Sequence, residues 1–311
     1  MLKFIGYRLL QFPLVLLIIY LLTFTLAWVV PGSPFEDGDR KMDPIAAARL
    51  AKDFHAENWA SFVTYYPFRL VRHGDFGPSM RYQGWSVNDI LKTALPVSVS
   101  LGMLALVIAI AAGVTLGTLA AVKRGGFFDW LSLSVALVGI SLPSFIAAAA
   151  LLIVFTLWVP ICRVGAWGNL RDMLIPAVAL SLVPMAYIAR LMRVATIDVL
   201  GQDYVRTARA KGLSNMKVIW KHCLRNAFLP VLSYLGPAAA AAFTGSFVVE
   251  KVFDIPGLGQ HFVNSVRNRD QTLILGTVIV YSIFLMTFNL LVDVAYALVD
   301  PRIDVTRRSG K

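Results

Sequence analysis

The sequence predicts an all-α integral membrane protein with six transmembrane helices. Of its 311 residues, 58% are apolar and only 15% are charged, and the mean hydropathy is +0.69. A soluble chain typically carries about 25% charged residues, so these charges are too few to cover a soluble surface of this size. Six long apolar stretches and a one-sided distribution of charge lead to the same fold class.

Each apolar stretch is close to or above the roughly 20 residues that cross a bilayer. The first, 9–30, carries no charge, and the other five lie at 96–122, 131–159, 173–192, 228–249 and 272–298. The first stretch is too long for the apolar core of a secretory signal and is followed by a poor cleavage site, so it is interpreted as a retained span. Proline is expected to interrupt the third span at Pro143 and the fourth at Pro176 and Pro184.

A polar insert separates the first span from the other five. Within it, 44–54 and 60–73 are predicted as short helices, and a turn cluster follows at 74–78. The predicted division of the chain is a cytoplasmic N-terminus at 1–8, the first span at 9–30, an outer insert at 31–94, a five-helix core at 95–300 with a cytoplasmic loop at 193–227, and a cytoplasmic tail at 301–311.

The net charge of +11 falls almost wholly on the segments that one orientation places in the cytoplasm. Membrane proteins generally carry an excess of Lys and Arg on cytoplasmic loops, so both chain ends are expected inside, and nucleic acid is not expected as a partner. In this topology Cys162 and Cys223 lie on opposite sides of the membrane and cannot form a disulfide. The four histidines show no metal-ligand spacing, so no metal site is predicted.

The most informative segment is the basic loop before the fifth span. Residues 204–211 contain no helix breaker, and Gly212 stands where a helix end favours a left-handed residue. Ser214 or Asn215 can then cap a second helix. The pattern predicts a helix–glycine–helix unit on the inner membrane face, with basic side chains separated by small ones. A solvated basic loop beside anionic membrane lipid is the alternative interpretation.

This loop resembles the conserved cytoplasmic loop of ABC importer permeases in their peptide-importer form. The resemblance covers nearly the whole chain in order, and Cys223 departs from the alanine expected at its position. It is closest to the B-type permease subunit of oligopeptide and dipeptide importers. The matching segments are 31–34, 73–79, 204–212, 222–227, 249–260, 268–270 and 289–303.

The resemblance implies a type I ABC importer permease fold and a function as half of the translocation path of an ATP-driven importer for oligopeptides or dipeptides. It implies a second homologous permease, two ATPase subunits and a periplasmic or lipid-anchored substrate-binding protein, around a multi-pass chain in a bacterial inner membrane. It assigns coupling to the ATPase to one helical loop, in which Ala208 is expected to face the ATPase. The coupling residues are Tyr204, Arg206, Thr207, Ala208, Arg209, Ala210, Lys211, Gly212 and Leu213.

The sequence contains no Gly-x-x-x-x-Gly-Lys-Ser/Thr pattern, so it offers no phosphate-cradling loop. It therefore predicts neither catalytic residues nor a cofactor in this chain, and it leaves ATP and Mg²⁺ to the partner ATPases. Two alternatives stay open: a permease of the same family for nickel or another small solute, and a self-contained secondary transporter. The latter would need inverted repeats and several buried ionisable residues, and the sequence shows neither.

Two further groups of residues are candidates for sites within the spans. Asn289, Asp293, Tyr296 and Asp300 share one helix face and are predicted to form a structural polar seam, bonded to the loop that bears Arg190 or Arg193, rather than a proton relay. Small residues in the fifth span are predicted to line the translocation path or a permease interface, with ordinary packing as the alternative. They are Gly236, Pro237, Thr244, Gly245 and Ser246. A turn and a short amphipathic helix are predicted at 255–270, facing the binding protein.

Overall fold

The computed structural model describes residues 2–30, 44–82 and 84–299, and over these residues the regular structure is helical. The insert residues 31–43, Asp300 and the tail 301–311 lie outside the described residues. The helices are α1 (Leu2–Val29), α2 (Pro44–Asp53), α3 (Trp59–His73), α4 (Val87–Val122), α5 (Phe127–Ser141), α6 (Ser144–Ile153), α7 (Leu170–Leu200), α8 (Asp203–Ala210), α9 (Asn215–Val218), α10 (Leu224–Ala227), α11 (Leu229–Phe253), α12 (Leu258–Asn268) and α13 (Gln271–Val299).

Among the described residues, five helices are long and apolar enough to cross a membrane: α1, α4, α7, α11 and α13. The sixth predicted span is a broken pair, because α5 and α6 with the π-helical turn Val154–Trp158 pass the same test together but bend by 109°. The bend lies at Pro143, as expected. The ring of proline pushes the preceding residue towards extended backbone, and Leu142 has φ −88° and ψ 124°.

The other two prolines do not break the fourth span, so that expectation is wrong. Helix α7 runs unbroken through Pro176 and Pro184, both of which are buried. Neighbouring helices can satisfy the carbonyls that a proline leaves free inside a membrane helix. The helix also continues to Leu200, so the loop expected to begin at 193 begins at Gly201.

The chain divides into two compact units, and the division falls inside α4 and α13. The described part of the core unit comprises residues 99–255 and 288–299, and α7 is its central helix. Glycines let backbones approach α7 closely: a Cβ at Gly113 of α4 would lie 2.8 Å from Ile188 Cγ2, and a Cβ at Gly139 of α5 would lie 2.9 Å from Ala186 Cβ. Such small-residue contacts are typical of packing between membrane helices.

The N-terminal unit comprises Leu2–Ser98 and Pro256–Thr287 and has an aromatic core. Tyr20 and Phe24 of α1 stack on Tyr66 and Phe62 of α3, with ring centroids 6.1 and 6.0 Å apart. The Tyr20 hydroxyl donates to the Val63 carbonyl at 3.0 Å. These contacts fasten the polar insert to the first span.

The predicted helices of the insert are confirmed as α2 and α3, and the amphipathic helix predicted at 255–270 is confirmed as α12. Two boundaries differ from expectation. Helix α1 begins at Leu2, so most of the predicted tail 1–8 is helical, and α4 begins at Val87 inside the predicted insert. Ser86 explains the early start of α4, because its Oγ accepts from the Asp89 N–H at 3.1 Å and so caps the first turn.

Candidate functional site

Helix α8 and the turn after it form the predicted helix–glycine–helix unit. Gly212 has φ +79°, and its N–H donates to the Arg209 carbonyl at 2.9 Å. The Leu213 N–H donates to the Ala208 carbonyl at 3.3 Å, which closes the turn. Ser214 stands at the N-cap of α9, but only its carbonyl contributes, accepting from the Val218 N–H at 3.0 Å.

One face of α8 packs inward and holds the helix on the core unit. Val205 and Ala208 are buried in a cluster with Val218 and Cys223, against which Val199 and Leu200 at the end of α7 also pack. Ala208 is only 6% exposed. The expectation that Ala208 faces a partner is therefore wrong: its methyl group, three residues from Val205, belongs to the apolar stripe of this short helix.

The opposite face of α8 is open and basic. The exposed residues there are Tyr204, Arg206, Thr207, Arg209, Ala210 and Lys211, with Gly212 beside them. The ion-pair contact of Arg206 among the described residues is an exposed one of 3.5 Å with Asp203. The Tyr204 hydroxyl accepts from Asn226 Nδ2 at 2.9 Å, which ties the start of α8 to α10.

Two large apolar side chains that sequence reasoning missed are exposed in the segment that follows α8. Met216 of α9 is 66% exposed, and Trp220, in the π-helical turn Ile219–Cys223, is 67% exposed. Their spacing of four residues, with the buried Val218 between them, was the available signal. We call this set of exposed residues the α8 face: Tyr204, Arg206, Thr207, Arg209, Ala210, Lys211, Met216 and Trp220.

An ion pair that the sequence did not reveal joins α7 to α5. Arg193 donates from Nε to Asp129 Oδ1 at 2.6 Å and from Nη2 to Oδ2 at 3.1 Å. The Gly125 N–H adds a third hydrogen bond to Oδ2 at 2.9 Å. Arg193, expected as a partner of the polar seam, thus pairs with Asp129, while the partner of Asp293 stays a prediction.

The structure brings the polar seam and the small-residue stripe together at one point. A Cβ at Gly236 would lie 2.8 Å from Asn289 Oδ1, so a larger residue there would require this side-chain amide to shift. Thr244 and Ser246 donate to the Ala240 and Phe243 carbonyls within α11. Helix α11 continues through Pro237 and Gly245, and Tyr296 lies on α13, whereas Asp300 falls outside the described residues.

Both cysteines are free and buried, in keeping with the prediction that they do not pair. Burial raises the pKa of the Cys162 thiol and of the Cys223 thiol. Because the thiolate is the reactive form, neither native cysteine is a good target for alkylating reagents.

Comparison with known proteins identifies the kind of protein that carries this surface. The family described as "Binding-protein-dependent transport system inner membrane component" matches residues 113–305. The chain is 44% identical to the dipeptide transport system permease protein DppB of Bacillus subtilis, over 94% of this chain and 95% of that protein. It is 41% identical to the oligopeptide transport system permease protein OppB of Haemophilus influenzae, over 97% and 99% of the two chains.

The fold is also similar to that of a solved chain from the MetNI methionine ABC transporter in inward-facing conformations. The TM-score is 0.52 over 68% of this chain and 96% of that chain, at 18% identity, so this likeness concerns the fold alone. The family match covers more than half of the sequence, and the relatives match it almost from end to end. The chain therefore belongs to the family of binding-protein-dependent transport system inner membrane components.

Proposed function

We propose that the chain is the permease subunit that forms half of the translocation path of an ATP-driven importer for dipeptides or oligopeptides. The observation that carries this proposal is the full-length similarity to proteins named as dipeptide and oligopeptide permeases. Those names favour peptides over nickel or another small solute. The partners are a second homologous permease, two ATPase subunits that bind ATP and Mg²⁺, and a periplasmic or lipid-anchored binding protein.

The proposed orientation in the inner membrane has both chain ends and the α8 face in the cytoplasm, with α2 and α3 outside. The excess of basic residues on the loop after α7 supports it, because cytoplasmic loops generally carry this excess. In that orientation the α8 face is open to soluble ATPase subunits.

The α8 face is the proposed docking surface for an ATPase subunit, and its attachment supports a coupling role. The buried side chains of Val205 and Ala208 pack against the end of α7. A displacement of α8 is therefore transmitted to α7 by direct contact. The Arg193–Asp129 pair then joins α7 to α5. A contiguous packed chain of this kind is a physical route for energetic coupling.

The function is tested with the complex of both permeases, the ATPases and the binding protein in proteoliposomes. The measurement is ATP-dependent uptake of a labelled tripeptide. We expect uptake by the wild type and a loss of at least about tenfold in the double variant Arg206→Glu/Arg209→Glu, because exposed interface charges steer association and reversed charges repel the partner. Lys52→Glu, an exposed charge reversal on α2, is the matched control and is expected to transport normally. Absence of peptide uptake by an intact wild-type complex would end the proposal.

A further inference from the structure

A cavity of about 490 Å³ lies at the break between α5 and α6, within the core unit. Pro143 at the break and Pro184 of α7 both line it, together with Thr244 of α11. The two prolines lie near the middle of the apolar stretches 131–159 and 173–192. In a membrane the cavity is therefore near mid-depth.

The backbone at the break is non-helical and open within this chain. Leu142 has φ −88° and ψ 124°, and residues 141–143 are exposed. Non-helical backbone at membrane depth is tolerated only where it is buried in protein or lines a water-filled cavity. Lipid tails therefore cannot cover the break, which leaves water or a neighbouring protein chain.

Two hydroxyl groups at the break favour water and a polar ligand. Both Ser141 and Ser144 line the cavity, and no residue that the structure describes forms a hydrogen bond with either Oγ. By contrast, the buried Ser181 donates within α7 to the Val178 carbonyl at 2.8 Å. A hydroxyl without a hydrogen bond in an apolar environment is costly. The two serines thus require partners from outside the described residues.

The proline of α7 adds a hydrogen-bond acceptor to the same cavity. Proline has no N–H, so the carbonyl four residues before it loses its helical donor. For Pro184 this carbonyl belongs to Leu180, which also lines the cavity. A hydroxyl both donates and accepts, so the wall combines donors with acceptors, and none of its lining side chains is charged.

This chemistry fits the backbone of a peptide. Each peptide unit carries one N–H donor and one carbonyl acceptor and has no net charge, unless its nitrogen belongs to proline. An ion would find no counter-charge in this lining, and an apolar solute would leave both serine hydroxyls unpaired. The volume lies within the roughly 300–1,000 Å³ that is typical of sites for small molecules.

We infer that this cavity is a mid-membrane subsite of the translocation path, in which Ser141 and Ser144 donate to backbone carbonyls of the passing peptide and the Leu180 carbonyl accepts from a backbone N–H. The inference rests on the proposed function, because it takes a peptide to be the cargo. Backbone amides are common to all peptides, so the subsite binds its cargo without selecting among side chains.

The first test measures whether water reaches the break. The permease–ATPase complex with Ser141→Cys is reconstituted in proteoliposomes, with a charged, membrane-impermeant methanethiosulfonate reagent on both sides. Labelling is expected, because the reactive thiolate forms in water. Ile18→Cys, 55% exposed in the middle of the first apolar stretch, is the control and should stay unlabelled. The wild type, whose cysteines are buried, gives the background.

A lack of labelling at position 141 in both the nucleotide-free and the nucleotide-trapped complex would overturn the inference. The break would then be covered by the second permease. Thr244→Cys keeps the test decisive if Ser141→Cys assembles poorly, because Thr244 is exposed and lines the same cavity from α11.

The second test measures binding of the peptide backbone. Tri-alanine is expected to protect Ser141→Cys from labelling. Tri-alanine methylated at both amide nitrogens, which lacks those donors, should need a concentration about tenfold higher. Adding Ser144→Ala is expected to raise the protecting concentration of tri-alanine about two- to tenfold, the range for one hydrogen bond.

Ser233→Ala is the matched control for the second test. Its hydroxyl is exposed but donates within α11 to the Leu229 carbonyl at 3.3 Å, so its loss should leave protection unchanged. Equal protection by the two peptides, or protection by neither, would overturn the inference. So would equal effects of Ser144→Ala and Ser233→Ala.

Uptake by wild-type proteoliposomes with the binding protein separates this inference from the proposed function. If the wild type imports tri-alanine while positions 141 and 244 stay unlabelled or unprotected, only the subsite is wrong. If the intact wild-type complex imports no peptide, the proposed function fails, and the subsite fails with it.

Discussion

Asp129 and Asp172 are both buried carboxylates in the first turn of a core helix, α5 and α7 respectively, and each accepts from an arginine. Arg193 donates to both oxygens of Asp129, and the Gly125 N–H adds a third donor. Arg163 donates from Nε and Nη2 to Oδ1 of Asp172. Arg193 therefore engages both oxygens of its aspartate, whereas the hydrogen bonds described for Arg163 reach one oxygen of Asp172.

The difference teaches that two similar ion pairs can fasten the chain to different degrees. The Arg193 side chain is largely buried beside Asp129, whereas the Arg163 side chain is largely exposed and can be solvated by water. Arg206 on the α8 face is held more weakly still. Within the described residues its ion-pair contact is with Asp203 at 3.5 Å, and exposed pairs of this kind contribute little to stability, so its charge is available to another protein.

The matched substitutions Asp129→Asn and Asp172→Asn test whether the two ion pairs differ in their contribution to stability. Asp129→Asn leaves the guanidinium of Arg193, whose side chain is 21% exposed, without its counter-charge. We expect a drop of about 6–10 °C in the unfolding temperature of the purified complex. Asp172→Asn leaves Arg163, whose side chain is 67% exposed, to be solvated by water, so a drop below about 2 °C is expected. Thermal unfolding monitored by tryptophan fluorescence measures both, and equal drops would contradict the distinction.

A second pair of variants compares the two sides of α8. Ala208→Glu places a carboxylate on the buried side of α8. It is expected to cost about 2–3 kcal/mol of local stability, because burying the charge favours a state in which the short helix has left the core. Ala210→Glu places the same side chain on the exposed face and is expected to cost less than about 0.5 kcal/mol. Hydrogen exchange of residues 203–213 measures the local opening. Equal protection in the two variants would contradict the assignment of the faces.

A third pair of variants, with a smaller expected effect, concerns the turn at Gly212 that follows α8. Gly212 has φ +79°, and a Cβ there would meet no atom within 4 Å, so the penalty for substitution is purely one of backbone strain. Gly212→Val is expected to cost about 1–2 kcal/mol and to lower ATP-dependent uptake by altering the exit from α8. Gly212→Asn, which tolerates this backbone region, is the control and should transport nearly as the wild type does. Equal uptake by the valine and asparagine variants would argue against a constrained turn.

Local patterns in the sequence predicted most of the fold. The insert helices, α8 with Gly212, α12 and the break at Pro143 follow from caps, breakers and apolar periodicity within a few residues of each site. The predicted interruptions at Pro176 and Pro184 were wrong. The energetic cost of a proline inside a membrane helix depends on the neighbouring helices, which the sequence of a single segment does not reveal. The burial of these prolines in α7 is a tertiary effect.

The site was less predictable for the same physical reason. Asp129 and Arg193 are 64 positions apart, and no local pattern links them. Ala208 was expected to face the ATPase because of the resemblance to the coupling loop of ABC importer permeases, although its spacing of three from Val205 indicated burial. The Arg163–Asp172 pair depends on the fold of the preceding loop, which the sequence does not encode in any recognisable motif.

The most direct test of the central claim, that the α8 face meets an ATPase subunit, is site-specific photo-crosslinking. A benzophenone maleimide is attached at Ala210→Cys, in the middle of the exposed face, and as a control at Val71→Cys, which is 87% exposed on α3. The native cysteines do not interfere because they are buried and burial raises the pKa of each thiol. The account predicts a crosslink from position 210 to an ATPase subunit and none from position 71. An assembled, ATP-hydrolysing complex that gives no ATPase crosslink from position 210 would contradict it.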